Sequence, residues 1–120
     1  MQEQILSRAQ KIEWYDKLIA TIAGAARKGD TIPYTSLNGH MYSMFTKENF
    51  VALRLPEHER KEFLQAYNTK LVEQYGIVQK EYVVVPESLL QNIPMLKVYF
   101  EISYDYVSRM KPKSAAKSKK

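Results

Sequence analysis

The 120-residue sequence predicts an α+β domain. It reads as two layers, an antiparallel sheet of about five strands with helices, in the order α-β-β-β-α-β-β-α. Three observations predict this. Apolar residues recur at helical spacing towards both ends of the chain. Between them lie short runs rich in β-branched and aromatic residues. Those runs are mostly joined by tight turns, the signature of antiparallel pairing.

Residues 5–27 read as helix. Ile5, Ala9, Ile12, Ile19, Ile22 and Ala26 recur at spacings of three, four or seven. Gly29, after Arg27-Lys28, suits a helix C-cap. Residues 1–10 are an N-terminal extension of helical character, either continuous with this helix or a separate turn.

The period then changes. Thr31-Ile32-Pro33-Tyr34-Thr35-Ser36-Leu37 reads as a first strand and His40–Thr46 as a second. Asn38-Gly39 between them tolerates the positive φ angles of a type I′ hairpin turn. Pro33 donates no ladder hydrogen bond, which makes the first strand an edge. Lys47-Glu48-Asn49 turns the chain into a third strand, Phe50–Leu55.

Pro56 stops that strand and suits a helix start, with Glu57 and Glu59 at the positive end of the helix dipole. Phe63, Leu64 and Tyr67 give this helix an apolar stripe through about Asn68. A short strand lies near Leu71-Val72, Tyr75-Gly76 turns, and Lys80–Val85 forms a strand closed by Pro86. Asn92 can N-cap a last helix with Pro94 in its first turn. Leu96, Tyr99, Phe100, Ser103, Tyr106, Val107 and Met110 hold helical spacing along it.

The formal charge is +5 and is unevenly placed. Lys111, Lys113, Lys117, Lys119 and Lys120 lie in the last ten residues, which contain no acid. The other 13 basic residues match the 13 acidic ones in 1–110. One domain over 1–110 is therefore formally neutral. The tail 111–120 lacks large apolar residues and reads as disordered.

Composition excludes several classes. With no Cys there is no disulfide, thiol nucleophile or Cys-based metal site. No apolar run approaches the roughly 18 residues that span a bilayer, so no membrane is expected. Met1-Gln2-Glu3-Gln4 lacks a signal-peptide pattern. The expected location is cytoplasmic.

Catalytic patterns are equally sparse. His40 and His58 belong to no metal-ligand spacing. Ser36, Ser43, Ser88 and Ser103 lack a nucleophile elbow, and the four glycines form no phosphate loop. Glu57, Glu59 and Glu62 read as a solvated helix face beside Arg60 and Lys61. The nine tyrosines fall mostly on apolar positions and read as core or interface. No catalytic residue, metal or cofactor is assigned.

The sheet is apolar on both faces. In the third strand Val51, Leu53 and Leu55 oppose Phe50, Ala52 and Arg54; in the second, Tyr42 and Met44 oppose Met41, Ser43 and Phe45. With helices on one face, the other is an interaction face, here Tyr34, Tyr42, Met44, Phe50 and Arg54. It serves a protein partner or a homodimer, unless a helix crosses it or these residues are only partly exposed. Two alternatives stand beside this reading. Nucleic acid would be contacted by the five tail lysines together with Arg54. A small ligand would sit in a cleft beside Tyr34, Arg54 and Lys80.

Three segments carry a family resemblance. They are Lys28-Gly29-Asp30-Thr31-Ile32-Pro33-Tyr34 through Asn38-Gly39-His40-Met41, Phe50-Val51-Ala52-Leu53-Arg54-Leu55-Pro56, and Lys80-Glu81-Tyr82-Val83-Val84-Val85-Pro86. Over residues 11–112 the chain resembles the TfoX/Sxy N-terminal domain family. The resemblance implies a bacterial module tied to regulation of DNA-uptake competence, with no catalytic residues to transfer. Where the family often has Met-Phe-Gly-Gly, this chain has roughly Pro33-Tyr34-Thr35-Ser36. It also has no room for the second helical domain of many family members. The expectation is a stand-alone regulatory or protein-interaction module.

Overall fold

A computed structural model describes residues 6–29 and 32–112. The fold is α+β, as the sequence predicts. Helix α1 spans Arg8–Ile19, β1 Tyr34–Leu37, β2 His40–Phe45 and β3 Val51–Arg54. Helix α2 spans Glu57–Ala66, β4 Leu71–Gln74 and β5 Ile77–Val84. A single turn, α3 (Glu87–Leu90), precedes α4 (Ile93–Ser108). The five strands form one sheet in the order β1-β2-β3-β5-β4, every pair antiparallel.

Helix α1 is shorter than its apolar period. Ser7 and Gln10 close a capping box at its start. At its end the Thr21 hydroxyl donates to Leu18 O at 2.7 Å, and Gly24 takes a φ of +85°. A hydroxyl that captures a helix carbonyl competes with the next turn. Ile22 still packs on the core from non-helical backbone, but Ala25 packs there in place of the expected Ala26, which is exposed, so the helical period ends with the helix. Gly29 is therefore no C-cap. It has a φ of +81°, and an added Cβ would meet Ile32 O at 2.6 Å.

The turns follow their residues. Asn38 and Gly39 both take positive φ, as do Tyr75 and Gly76. Asn92 Oδ1 accepts the Met95 amide and caps α4. One element escaped the sequence, because α3 is too short to display a period. The start of β5 escaped too, since Ile77 and Val78 are both exposed and show no alternation.

One face of the sheet packs on the helices. Tyr15 and Leu18 of α1, Phe63 of α2 and Leu96, Phe100 and Val107 of α4 meet Leu53, Leu55 and Val83 there. Ser103, on the inner face of α4, reaches the main-chain carbonyls of Tyr42 (3.2 Å) and Arg54. That contact seats α4 over the end of the sheet where β3 leaves.

Two irregularities shape the sheet. In β2 the register slips between Thr35↔Ser43 and Ser36↔Met41, leaving Tyr42 as an extra residue. The slip reverses the alternation, so Tyr42 joins Ser43 on the helix side. Tyr42 lies 5.6 Å from Phe100 between ring centroids, and Ser43 Oγ lies 2.7 Å from Tyr15 Oη.

The second irregularity is larger. Leu71 pairs with Val83 but Val72 pairs with Gln79, so Lys80, Glu81 and Tyr82 have no partner on β4. The β4–β5 hairpin bends there. In a flat sheet β2 and β4 would stand three strand spacings apart, about 14 Å. Instead Val72, fully buried, shares a small second core with Met44 and Ala52. Tyr75, at the hairpin tip, receives a hydrogen bond from Lys47 Nζ at 3.3 Å, although Lys47 sits in the β2–β3 turn. The hairpin is thus folded back across the second face of the sheet.

Candidate functional site

The fold-back decides the fate of the predicted interaction face. Tyr42 is not on it: the β2 bulge buries that ring (1% exposed) against α4. Met44 is on it but is only 4% exposed, under Val72. Tyr34 and Phe50 are half-buried around the same small core. The face is apolar because the chain's own hairpin closes it; among the described residues no helix side chain joins that small core.

Arg54 is committed within the fold. Its Nε donates to Glu81 Oε1 at 2.7 Å, and its Nη1 reaches Met41 O at 3.4 Å. Tyr82 donates to the same Met41 carbonyl at 2.8 Å, and Tyr106 of α4 donates to Glu81 Oε2 at 2.9 Å. Burial opposes ionisation of Glu81. The hydrogen bonds from Arg54 and Tyr106, with the guanidinium charge, outweigh it and hold the carboxyl below its ordinary value. Burial pushes the Tyr82 phenol up to about 12, so it stays a donor at neutral pH.

The predicted cleft is not assembled. Tyr34 lies on edge strand β1, in the row of Met44, Ala52 and Val84. Arg54 lies two residues beyond Ala52 on β3, opposite Tyr82, and two strands away from Tyr34. Lys80 is exposed in the β5 bulge. None of the three lines the groove described next. Of the predicted nucleic-acid contacts, Lys111 is exposed at the end of α4. Lys113, Lys117, Lys119 and Lys120 lie outside the described residues.

A groove of about 760 Å³ opens between the start of α2 and the outer face of α4. Pro56 and Glu59 form one wall. The other is Val98, Glu101, Ile102, Asp105, Tyr106, Arg109 and Met110. These α4 positions repeat every three or four residues, so they share one helical face. It lies beside the core stripe of Leu96, Phe100, Ser103 and Val107. Val98 and Ile102 are the apolar floor, and Val98 is 55% exposed. Glu59, Glu101 and Asp105 lie on the rim together with the cation Arg109. Asp105 holds Arg109 at 2.6 Å, and Glu101 stands 3.8 Å from Lys97.

The sequence held a signal for this groove. Val98 and Ile102 are apolar at i and i+4, outside the core stripe. An apolar pair off the buried face of a terminal helix is the trace such a groove leaves.

Among the described residues no group of three His, Cys, Asp or Glu side chains is placed to hold a metal ion. Nor, among them, is any helix long and apolar enough to cross a membrane. No family model, no curated protein and no solved structure matches the chain. The groove's own chemistry is therefore the basis for a functional reading.

Proposed function

We infer that the protein is a non-enzymatic interaction module that binds a segment of another protein in the groove between α2 and α4. The observation that carries this is the groove itself: an apolar floor of exposed Val98 and part-buried Ile102, with Glu59 and Glu101 on its rim. Such a surface is complementary to an amphipathic segment with an apolar stripe and basic flanks. Two of the ionisable groups there already have partners within the fold. Tyr106 is spent on Glu81, and Asp105 on Arg109.

A regulatory role in the bacterial cytoplasm is the part of this reading that rests on the resemblance to TfoX/Sxy N-terminal domains. Nucleic-acid binding gains nothing from the sheet, because Arg54 is held by Glu81 and by main chain.

The test is a titration of the labelled protein with a synthetic amphipathic helix carrying lysines beside its apolar stripe, followed by amide chemical shifts. Shifts should concentrate at Pro56–Glu59 flanking amides and along residues 98–110. Shifts on the β4–β5 hairpin with a silent α4 would refute the assignment.

A further inference from the structure

The exposed large apolar side chains among the described residues fall in two places. Met95 and Val98 lie on α4, three residues apart and on one face with Ile102 of the groove. Tyr75, Ile77 and Val78 crown the β4–β5 hairpin, and Ile77 is 63% exposed. One place is concave and the other projects.

The tip has the form of a wedge. Glu73↔Val78 and Gln74↔Ile77 are successive pairs, so Ile77 and Val78 point to opposite faces of the hairpin. A surface that lies flat on a partner needs its apolar residues on one face. Apolar residues on both faces suit a tip that enters between two walls, as α2 and α4 provide.

Tip and groove are far apart within one chain. Lys47, which holds Tyr75, precedes β3, while Pro56, on the groove wall, follows it. The hairpin lies across one face of the sheet and α4 covers the other. A tip can therefore fill only another molecule's groove. Charge allows it: exposed Lys80 on β5 and Glu59 on the rim have no ion-pair partner among the described residues. Exposed Glu73 offsets Lys80 on the hairpin, and Lys47 is spent on Tyr75, so the tip lacks the cationic excess that draws a segment to an anionic membrane.

We propose that the hairpin tip of one molecule, with Tyr75, Ile77 and Val78, seats in the α2–α4 groove of a second copy. This rests on the groove reading above and names a further occupant of that groove. The two surfaces differ, so the contact is heterologous: every complex keeps a free tip and a free groove, and association extends into chains or closes into a ring. The contact is small and weak. It is dissociated at the lower concentrations of a helix titration, where the groove stands open to a partner.

The test is sedimentation equilibrium of the full-length protein over a range of high concentrations. The wild-type average mass should rise past twice that of the monomer. Ile77→Lys spoils the tip and Val98→Lys the groove; each alone should stay at the monomer mass with an unchanged circular dichroism spectrum. An equimolar mixture of the two should form a one-to-one complex that grows no further, because one supplies the groove and the other the tip. A monomeric wild type overturns the proposal. So does a mixture that stays monomeric, the result expected of a contact between identical surfaces. Flotation of Val98→Lys but not Ile77→Lys with phosphatidylcholine–phosphatidylserine vesicles, beside a monomeric mixture, overturns it in favour of a lipid surface. These failures leave the groove reading standing if the synthetic helix still shifts the α4 amides. A mixed complex with no helix binding would support the contact between copies and sink the reading of a basic helical partner.

Discussion

Lys47 Nζ stands 3.3 Å from Tyr75 Oη and 4.9 Å from the centre of its ring, joining the tip of the β2–β3 hairpin to the tip of the β4–β5 hairpin. The contact latches the β4–β5 hairpin over the sheet. It is exposed, and Tyr75 is 77% accessible, so the latch itself contributes little. What holds the hairpin is Val72, inserted against Met44 and Ala52. Val72→Ala should cost about 1–3 kcal/mol and Lys47→Ala less than about 1 kcal/mol, read by urea denaturation. Equal costs would contradict the fold-back.

Ser43 ties α1 to the edge of the sheet. Its hydroxyl lies 2.7 Å from Tyr15 Oη and 2.5 Å from Thr35 Oγ1, all three buried. Ser43→Ala strips a partner from two buried hydroxyls at once and should cost about 1–3 kcal/mol. Tyr15→Phe removes a single bond and should cost about 1 kcal/mol. Denaturation midpoints in the reverse order would count against this arrangement.

Thr46 makes the opposite case. Its Oγ1 is buried with no hydrogen-bond partner among the described residues. Thr46→Val keeps the shape and the β-branch while removing the unmet hydroxyl. It should raise stability by about 1 kcal/mol, seen as a higher denaturation midpoint. A lower midpoint would mean that the hydroxyl is satisfied.

Glu81 links β3, β5 and α4, and its carboxyl titrates below the usual carboxylate value in the folded state. The native state therefore binds fewer protons than the unfolded chain. The stabilisation is present above the unfolded value of about 4.3 and is lost as pH falls through the folded value. Glu81→Gln should flatten the acid limb of a stability–pH curve below about pH 4.5 and leave its neutral part parallel. An unchanged acid limb would show that Glu81 is not a source of acid sensitivity.

Much of the fold was legible because its turns are written in residue chemistry. Asn38-Gly39, Tyr75-Gly76 and the Asn92–Pro94 helix start are local signals, and the structure uses each. The sheet's apolar second face was legible too, but its meaning was not. Strict alternation placed Tyr42 beside Met44, and one bulged residue moved it to the other side. Nothing local announces that Lys80–Tyr82 will bend and lay Val72 over Met44, because that contact joins strands far apart in sheet order. The groove was half-legible: Val98 and Ile102 are visible as a pair, whereas the wall from Pro56 and Glu59 exists only once α2 and α4 are docked.

The central claim is that binding belongs to the α2–α4 groove and not to the sheet. Calorimetric titration of the same basic amphipathic helix into Val98→Lys and Ile77→Lys tests it most directly. Both positions are exposed, and both variants add one positive charge. Val98→Lys should weaken binding at least tenfold relative to wild type, and Ile77→Lys, on the hairpin, should leave it nearly unchanged. Loss of binding in Ile77→Lys with wild-type affinity in Val98→Lys would contradict the claim.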